Sequence, residues 1–241
     1  PKGERDRADL FAAMPPLEAK RVLFRRFATH SNLRGKTKMK LMLIDVKKAH
    51  LNGVCGRDNV FVELPAEAGG APGKCGRLLR WLYGMRGAAA AWEADYTKLL
   101  KTNGFVEGVS APTVFYNPET GTRVVVHGDD FTFLGFGDEL KKVKAKMAEK
   151  YELKVRAVLG TDEEDDKKIS ILNREIEVTA EGLTYRADPK HAEIIWEKLG
   201  LTRDSRGSTT AFVREQCEGD DVELDTADAT MFRQVAARAN Y

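Results

Sequence analysis

Two short apolar runs, at residues 124–126 and 131–134, meet at an acidic turn near the middle of the chain. Their β-branched, aromatic and aliphatic side chains are typical of buried strands, and Gly128 permits a tight reversal between them. The pattern therefore predicts a hairpin with Asp129 and Asp130 at its tip. Adjacent carboxylates repel each other and lose solvation unless a cation neutralises them, so we expect a divalent metal there.

A further candidate carboxylate interrupts the continuous apolar run at residues 41–46, which is typical of a central strand. Asp45 is costly in such a strand unless it is paired or binds a metal. Residues 113–134 alternate between strand-like runs and turns, which predicts an antiparallel meander. The strand that carries Asp45 has to join this sheet if its carboxylate is to meet Asp129.

The remaining apolar pattern predicts further strands and helices around this sheet. Strands are predicted at residues 59–64 and, as the two arms of a second hairpin, at 169–178 and 183–186. Helices are predicted at 15–29, at 88–101, at 138–151 with Asp138 as the cap, after Asp188 and Pro189, and at the end of the chain. This order favours an α+β fold with a small antiparallel sheet backed by two helices.

The composition is that of a soluble globular protein, with 42% hydrophobic and 32% charged residues among 241. No apolar run approaches the length that spans a bilayer, and the first thirty residues lack the apolar core of a signal peptide. We therefore expect an intracellular protein without a membrane partner. Cys55, Cys75 and Cys217 are widely spaced, which indicates reduced thiols rather than a disulfide framework or a zinc site.

Charge is distributed unevenly along the chain, although the net charge is only +2. Residues 18–40 carry eight cationic side chains, whereas residues 214–228 are acidic. The basic region, including Arg25 and Arg26, is either a solvated helix face or a phosphate-binding surface. Two further Asp-Asp pairs, at 165–166 and 220–221, lack flanking strands and are predicted to lie in solvated loops.

An Asp strand, a helix, an Asp-Asp hairpin and a second helix follow one another in the order of a polymerase palm. Phosphoryl transfer to a primer 3′-hydroxyl uses two metals about 3.5–4 Å apart, and carboxylates from neighbouring strands can bridge both. The sequence resembles the reverse transcriptases of Ty1/copia-type retrotransposons in four motifs that occur in the family's order. These are residues 45–53 (Asp-Val-Lys-Lys-Ala-His-Leu-Asn-Gly), 60–65 (Val-Phe-Val-Glu-Leu-Pro), 82–92 (Leu-Tyr-Gly-Met-Arg-Gly-Ala-Ala-Ala-Ala-Trp) and 127–130 (His-Gly-Asp-Asp).

The resemblance implies functional residues at the matching positions. It implies two Mg²⁺ or Mn²⁺ ions held by Asp45, Asp129 and Asp130, which are the catalytic residues, and by the backbone of Val46. It implies nucleotide contacts from Lys47, Lys48, Ala49, His50, Gly84, Arg86 and Lys154, the last as a proton donor to pyrophosphate. It implies primer and template contacts from His127, Gly128, Ile171, Leu172, Asn173 and Arg174, to which the basic region adds Arg25 and Arg26.

The resemblance also implies a division into subdomains and a set of partners. Partial fingers are expected at residues 1–36 and 54–86, a palm at 37–53 and 87–178, and a partial thumb or connection at 179–241. The partners would be an RNA or DNA template with its primer, deoxynucleoside triphosphates, and the integrase and RNase H segments of a polyprotein. The protein would lie in a cytoplasmic particle or the nucleus.

The sequence departs from the family pattern at several functional positions. His50 replaces an aromatic residue, His127 a tyrosine and Ala89 a proline, and residues 172–174 replace the usual Phe-Leu-Gly. The family's basic fingers hairpin is expected before residue 1, and its RNase H domain after Tyr241. An excised fragment and a decaying copy are both consistent with this. Three hypotheses therefore stay open: an active polymerase module, an inactive remnant that only binds nucleic acid, and a nucleotide cyclase, which the motif at 82–92 disfavours.

Overall fold

The structure is a computed structural model of the chain, and it describes residues 12–31, 38–56, 60–70, 73–171, 173–202, 204–207 and 223–240. The chain forms two compact units, the first made of Pro1–Ile169 and Val178–Leu183 and the second of Ser170–Glu177 and Thr184–Tyr241. None of the described helices has both the length and the apolar character needed to cross a bilayer.

The helices of the described residues are α1 (Leu17–Ser31), α2 (Ala88–Thr102), α3 (Gly137–Ala148), α4 (Pro189–Lys198) and α5 (Thr226–Ala239). The strands are β1 (Met39–Val46), β2 (Phe61–Glu63), β3 (Cys75–Arg77), β4 (Val106–Glu107), β5 (Val114–Tyr116), β6 (Arg123–His127), β7 (Asp130–Phe136), β8 (Leu153–Leu159), β9 (Lys168–Ile171), β10 (Arg174–Thr179) and β11 (Gly182–Ala187). Single 3₁₀ turns occupy Ala49–Asn52 and Ala66–Ala68. The combination of helices with antiparallel sheets agrees with the predicted α+β class.

A six-stranded antiparallel sheet in the order β4-β5-β6-β7-β1-β8 is the centre of the first unit. β1 pairs with β7 on one side and with β8 on the other. Its apolar run is therefore buried on both faces, as the sequence predicted for a central strand. β2 and β3 form a separate hairpin, and β9, β10 and β11 form a three-stranded sheet.

Helices cover both faces of the main sheet. On one face, Trp92, Tyr96 and Leu100 of α2 and Leu140 and Met147 of α3 pack against alternate residues of β1, β6 and β7. The intervening strand residues point to the other face, where α1 packs against the same three strands. Leu23, Phe24 and Phe27 of α1 are buried there.

Three local predictions were wrong. Residues 169–178 form two strands, β9 and β10, because Asn173 adopts a positive φ of 54° that ends the first strand. Asp138 lies in the first turn of α3 rather than at its cap, which is Phe136. The loop that contains Asp165 was predicted to be solvated, but the Asp165 side chain is buried and forms an ion pair with Lys40. The pair at 220–221 and Cys217 lie outside the described residues.

Most of the other predicted elements agree with the structure. α1, α2 and the strands at 41–46 and 113–134 occur where the apolar pattern placed them, and β2 (Phe61–Glu63) lies within the strand predicted at 59–64. In the second unit, Asp188 caps α4 by accepting a hydrogen bond from the backbone N–H of Lys190, with Pro189 at the first helical position. α4 and α5 pack against each other. Neither Cys55, which is buried, nor Cys75, which is exposed, forms a disulfide with a described residue.

Candidate polymerase active site

The hairpin between β6 and β7 turns through only two residues, Gly128 and Asp129. His127 and Asp130 are cross-strand partners directly below the turn. Gly128 has a φ of +66°, which L-residues rarely adopt, so glycine is favoured here for conformational reasons. Asp129 is exposed at the tip, whereas Asp130 is buried.

The end of β1 brings Asp45 to this turn. Asp45 is half-buried and lies opposite Asp130 on β7. The backbone N–H of the next residue, Val46, donates to the carbonyl oxygen of Asp129 at 3.0 Å. On its other side, Asp45 lies opposite Lys154 of β8. The structure thus confirms that the Asp45 strand joins the hairpin sheet, and it brings Lys154 to the same place.

Two cations lie near Asp130. Arg156 is at a bulge of β8, and its Nη1 is 3.6 Å from Oδ1 of Asp130. Lys20 of α1 is buried, and its Nζ has no hydrogen-bond partner among the described residues. Burial raises the pKa of Asp130, while the charges of Arg156 and Lys20 oppose that rise. Asp130 is therefore a buried carboxylate with protein cations beside it, whereas Asp129 is exposed and Asp45 is half-buried.

Lys20 belongs to the basic region at residues 18–40, which was interpreted as either a solvated helix face or a phosphate-binding surface, and its burial agrees with neither. Lys20, Leu23, Phe24 and Phe27 form one helical stripe, so Lys20 faces the sheet with the apolar residues. Burial lowers the pKa of Lys20, and Asp130 opposes this effect. Burial, aided by the charge of Lys20, also lowers the pKa of His127. This group of ionisable residues beneath the turn was not predicted from the sequence.

The carboxylates of the turn suit a hard divalent cation, because carboxylate oxygens are the ligands that Mg²⁺ and Mn²⁺ prefer. Asp45, Asp129 and Asp130 are neighbours, but their oxygens do not all come within 4.8 Å of one another. Among the described residues, the acidic group that meets this distance is Asp162, Glu164 and Asp165. Lys40 Nζ already lies 2.6–3.6 Å from an oxygen of each, so a lysine occupies that group.

The segment that follows Asp45 turns away from β1 in a 3₁₀ helix at Ala49–Asn52. Lys48 has a φ of +54° immediately before it. Lys47 is exposed and forms an ion pair with Glu152 at 2.6 Å. Ala49 is buried, and the ring of His50 stacks on Tyr83 with 4.5 Å between ring centroids.

A loop at residues 80–86 packs against this segment. The backbone N–H of Trp81 donates to the carbonyl oxygen of Gly53 at 3.1 Å, and the Arg80 guanidinium donates to the carbonyl oxygen of Asn52. Gly84 and Arg86 are exposed in the same loop. The structure thus brings together the two segments that were predicted to contact the nucleotide.

Helix α2 packs against the turn that follows Asp45 and against the acidic turn at Gly128. A Cβ on Gly53 would lie 3.0 Å from Cβ of Ala91, so the turn after Asp45 approaches α2 as closely as a glycine allows. At the next residue of the helix, the indole N–H of Trp92 donates to the carbonyl oxygen of Gly128 at 2.9 Å. The sequence predicted Trp92 only as a core residue, and this contact with the acidic turn was missed.

Comparison of the sequence with models of known protein families gives a match. The model of the family described as "Reverse transcriptase (RNA-dependent DNA polymerase)" matches residues 27–173, which is more than half of the chain. The chain belongs to this reverse transcriptase family. A search of curated proteins found no significant match.

The matched reverse transcriptase region contains Asp45, the 80–86 loop, α2 and the Asp129 hairpin. Arg25 and Arg26 precede it, on the exposed side of α1. Their predicted contact with phosphates is untested.

The predicted primer-holding turn of the reverse transcriptase lies in the second unit, except for Leu172, which lies outside the described residues. Ile171 ends β9 and is buried, and Asn173 forms the turn. Arg174 begins β10, with its guanidinium 5.5 Å from the centre of the Tyr185 ring. The role of these residues stays a prediction.

Proposed function

We propose that the chain is the reverse transcriptase module of a copia-type retrotransposon, which adds deoxynucleotides to a primer 3′-hydroxyl on an RNA or DNA template. The observation that carries the proposal is the meeting of Asp45 with the Asp129–Asp130 turn on adjacent strands, inside the region that matches the family. The matches at residues 45–53 and 82–92 support the copia type.

Asp45 and Asp129 would hold two Mg²⁺ or Mn²⁺ ions, with the backbone carbonyl of Val46 as a further ligand. Bound metal would activate the primer hydroxyl and stabilise the leaving pyrophosphate. Asp130 would assist rather than act as a principal ligand, because its carboxylate is buried beside the cations of Arg156 and Lys20. Lys154, which lies opposite Asp45 on β8, would donate a proton to pyrophosphate.

The backbone after Asp45 would hold the incoming triphosphate. The N–H groups of Val46 and Lys47 already donate to the carbonyls of Asp129 and Glu152, at 3.0 and 2.9 Å. The triphosphate contacts therefore fall to Lys48, Ala49 and His50. Gly84 and Arg86 would contact the nucleotide and the templating base from the neighbouring loop.

The remaining assignments belong to the same proposal. His127, Gly128 and residues 171–174 would contact the primer end, and Arg25 and Arg26 the nucleic-acid backbone. The fingers, palm and thumb boundaries, the integrase and RNase H partners, and an intracellular location in a particle or the nucleus also follow from it.

Primer extension with Mg²⁺ or Mn²⁺ tests this function. We expect DNA synthesis on both RNA and DNA templates, and none when the metal is chelated. Binding of primer-template without extension would instead support the second candidate, an inactive remnant. That candidate is favoured by the departures at His127 and at residues 172–174. The family match supports a polymerase rather than a nucleotide cyclase.

A further inference from the structure

Both residues of the acidic turn have their carbonyl oxygens held by neighbouring elements. The carbonyl of Asp129 accepts the backbone N–H of Val46, and the carbonyl of Gly128 accepts the indole N–H of Trp92. The first bond comes from the strand that carries Asp45. The second comes from a side chain, so it is the one that a substitution can remove without altering the sheet.

Trp92 is itself fixed in place. Its side chain is buried, with 2% of its surface exposed, and it makes edge-to-face contacts with Tyr96, Phe131 and Tyr151. The Tyr151 hydroxyl donates to Asp95 at 2.7 Å, and Asp95 lies one helical turn after Trp92 on α2. A ring confined in this way has little freedom to move, so its N–H acts as a rigid donor.

We propose that Trp92 is a positioning residue of the active site, whose indole N–H holds the Gly128–Asp129 turn so that the Asp129 carboxylate stays beside Asp45. This inference rests on the proposed function, because it assumes that Asp129 binds the divalent metal. Without the bond, the Gly128 carbonyl turns toward water and the two-residue turn shifts. Since Asp129 is the next residue, its carboxylate moves with the turn.

The test removes the N–H while it keeps the shape of the ring. Trp92 is replaced by 3-benzothienyl-alanine, in which sulfur stands where indole has its N–H, so packing is nearly unchanged. Trp92→Phe also removes the N–H and is genetically encoded, but it leaves a cavity at this buried position, so the benzothienyl protein decides the test. The same analogue at Trp196, a half-exposed residue of α4, is the control. Mn²⁺ affinity is measured by electron paramagnetic resonance without nucleic acid, and primer extension is measured in parallel.

Loss of one buried hydrogen bond should weaken Mn²⁺ binding by at least about fivefold and lower kcat by a similar factor. Raising the Mn²⁺ concentration should restore part of the rate, which it cannot do for an unfolded protein. Circular dichroism of the benzothienyl protein should match the parent. The Trp196 replacement should leave the Mn²⁺ affinity and the rate unchanged.

An unchanged Mn²⁺ affinity in the benzothienyl protein would overturn the proposal, as would parent Mn²⁺ binding that is insensitive to Asp129→Asn. If the parent extends no primer but the Trp92 replacement still weakens Mn²⁺ binding, the polymerase function fails while the positioning role stands. The two proposals are therefore separately testable.

Discussion

Replacement of Lys40 by methionine should destabilise the unit that contains the main sheet. Lys40 lies on β1, and its ammonium group contacts the loop between β8 and β9. Its Nζ is 2.6 Å from Asp165, 2.9 Å from Asp162 and 3.6 Å from Glu164. The loop closes tightly around this contact, because a Cβ on Gly160 would overlap the Asp165 carboxylate.

The magnitude follows from burial of the partners. Only 15% of the Lys40 side chain and 4% of the Asp165 side chain are exposed. Removing one partner of a buried ion pair costs about 3–5 kcal/mol. Asp165 keeps a hydrogen bond from the backbone N–H of Asp162 at 3.1 Å, so we expect a loss near the lower end, about 3 kcal/mol. For a protein of this size, that lowers Tm by about 6–12 °C.

Two pKa shifts define the pH range of the effect. Burial acts to lower the pKa of Lys40, but its hydrogen bonds to Asp165 and Asp162 outweigh burial and raise that pKa above 10.5. The hydrogen bond from Lys40 lowers the pKa of Asp162 below 3.8. The raised lysine pKa contributes stability below pH 10.5 that is lost as pH rises. The lowered aspartate pKa contributes stability above pH 3.8 that is lost as pH falls.

Differential scanning calorimetry of the parent and Lys40→Met at pH 7 and near pH 3 measures the effect. The difference in Tm should be largest at pH 7 and should shrink in acid. Lys141→Met is the control, because Lys141 pairs with Asp138 at 3.3 Å and both side chains are over 80% exposed. It should change stability by less than about 1 kcal/mol. Equal effects of the two substitutions, or a Lys40→Met difference that persists near pH 3, would refute the reasoning.

Three further predictions concern function. Reversing the charges of Arg25 and Arg26 should reduce the slope of log affinity for primer-template against log salt concentration by about 2, measured by fluorescence anisotropy. An unchanged slope would indicate that these residues form only a solvated helix face. His50→Phe should increase selection of dATP over ATP in single-nucleotide extension, because the imidazole is smaller than the aromatic ring that it replaces and would leave room for the 2′-hydroxyl of ATP. Equal selectivity in the two proteins would exclude a role of His50 in sugar selection. Asp130→Asn should slow extension far less than Asp129→Asn, because the Asp130 carboxylate is buried beside the cations of Arg156 and Lys20. Equal losses of extension rate in the two variants would contradict this.

Much of the fold could be predicted because the main sheet has a strong apolar signal. The runs at 41–46 and 124–134 have few polar interruptions, and most of these are the acidic residues of the candidate site, with His127 and Thr132 as the others. The break between β9 and β10 was missed, although the alternation of apolar and polar residues is interrupted there by three consecutive polar residues, Asn173, Arg174 and Glu175. It depends on the backbone of Asn173, a residue type that tolerates positive φ but does not require it.

The sequence indicated those residues of the candidate site that are energetically costly in their local context. It did not indicate contacts that depend on tertiary structure. Asp45 stands out because a carboxylate ends an apolar strand. Lys20 did not stand out among the cations around it, although its helical spacing with Phe24 and Phe27 indicates the buried face. The bond from Trp92 to Gly128 joins residues 36 positions apart, and no local pattern specifies it.

Asp129, beside Asp45 at the end of the main sheet, is proposed to carry a metal-dependent polymerase activity. The most direct measurement is extension of a primer on an RNA template by the parent, Asp129→Asn and Asp220→Asn, in Mg²⁺ and in Mn²⁺. Asp220 belongs to the other Gly-Asp-Asp of the sequence and is the matched control. We predict that the parent and Asp220→Asn extend the primer equally, and that Asp129→Asn is slower by several orders of magnitude with its fold intact. Extension by Asp129→Asn at near the parent rate, or a comparable loss in Asp220→Asn, would contradict the account.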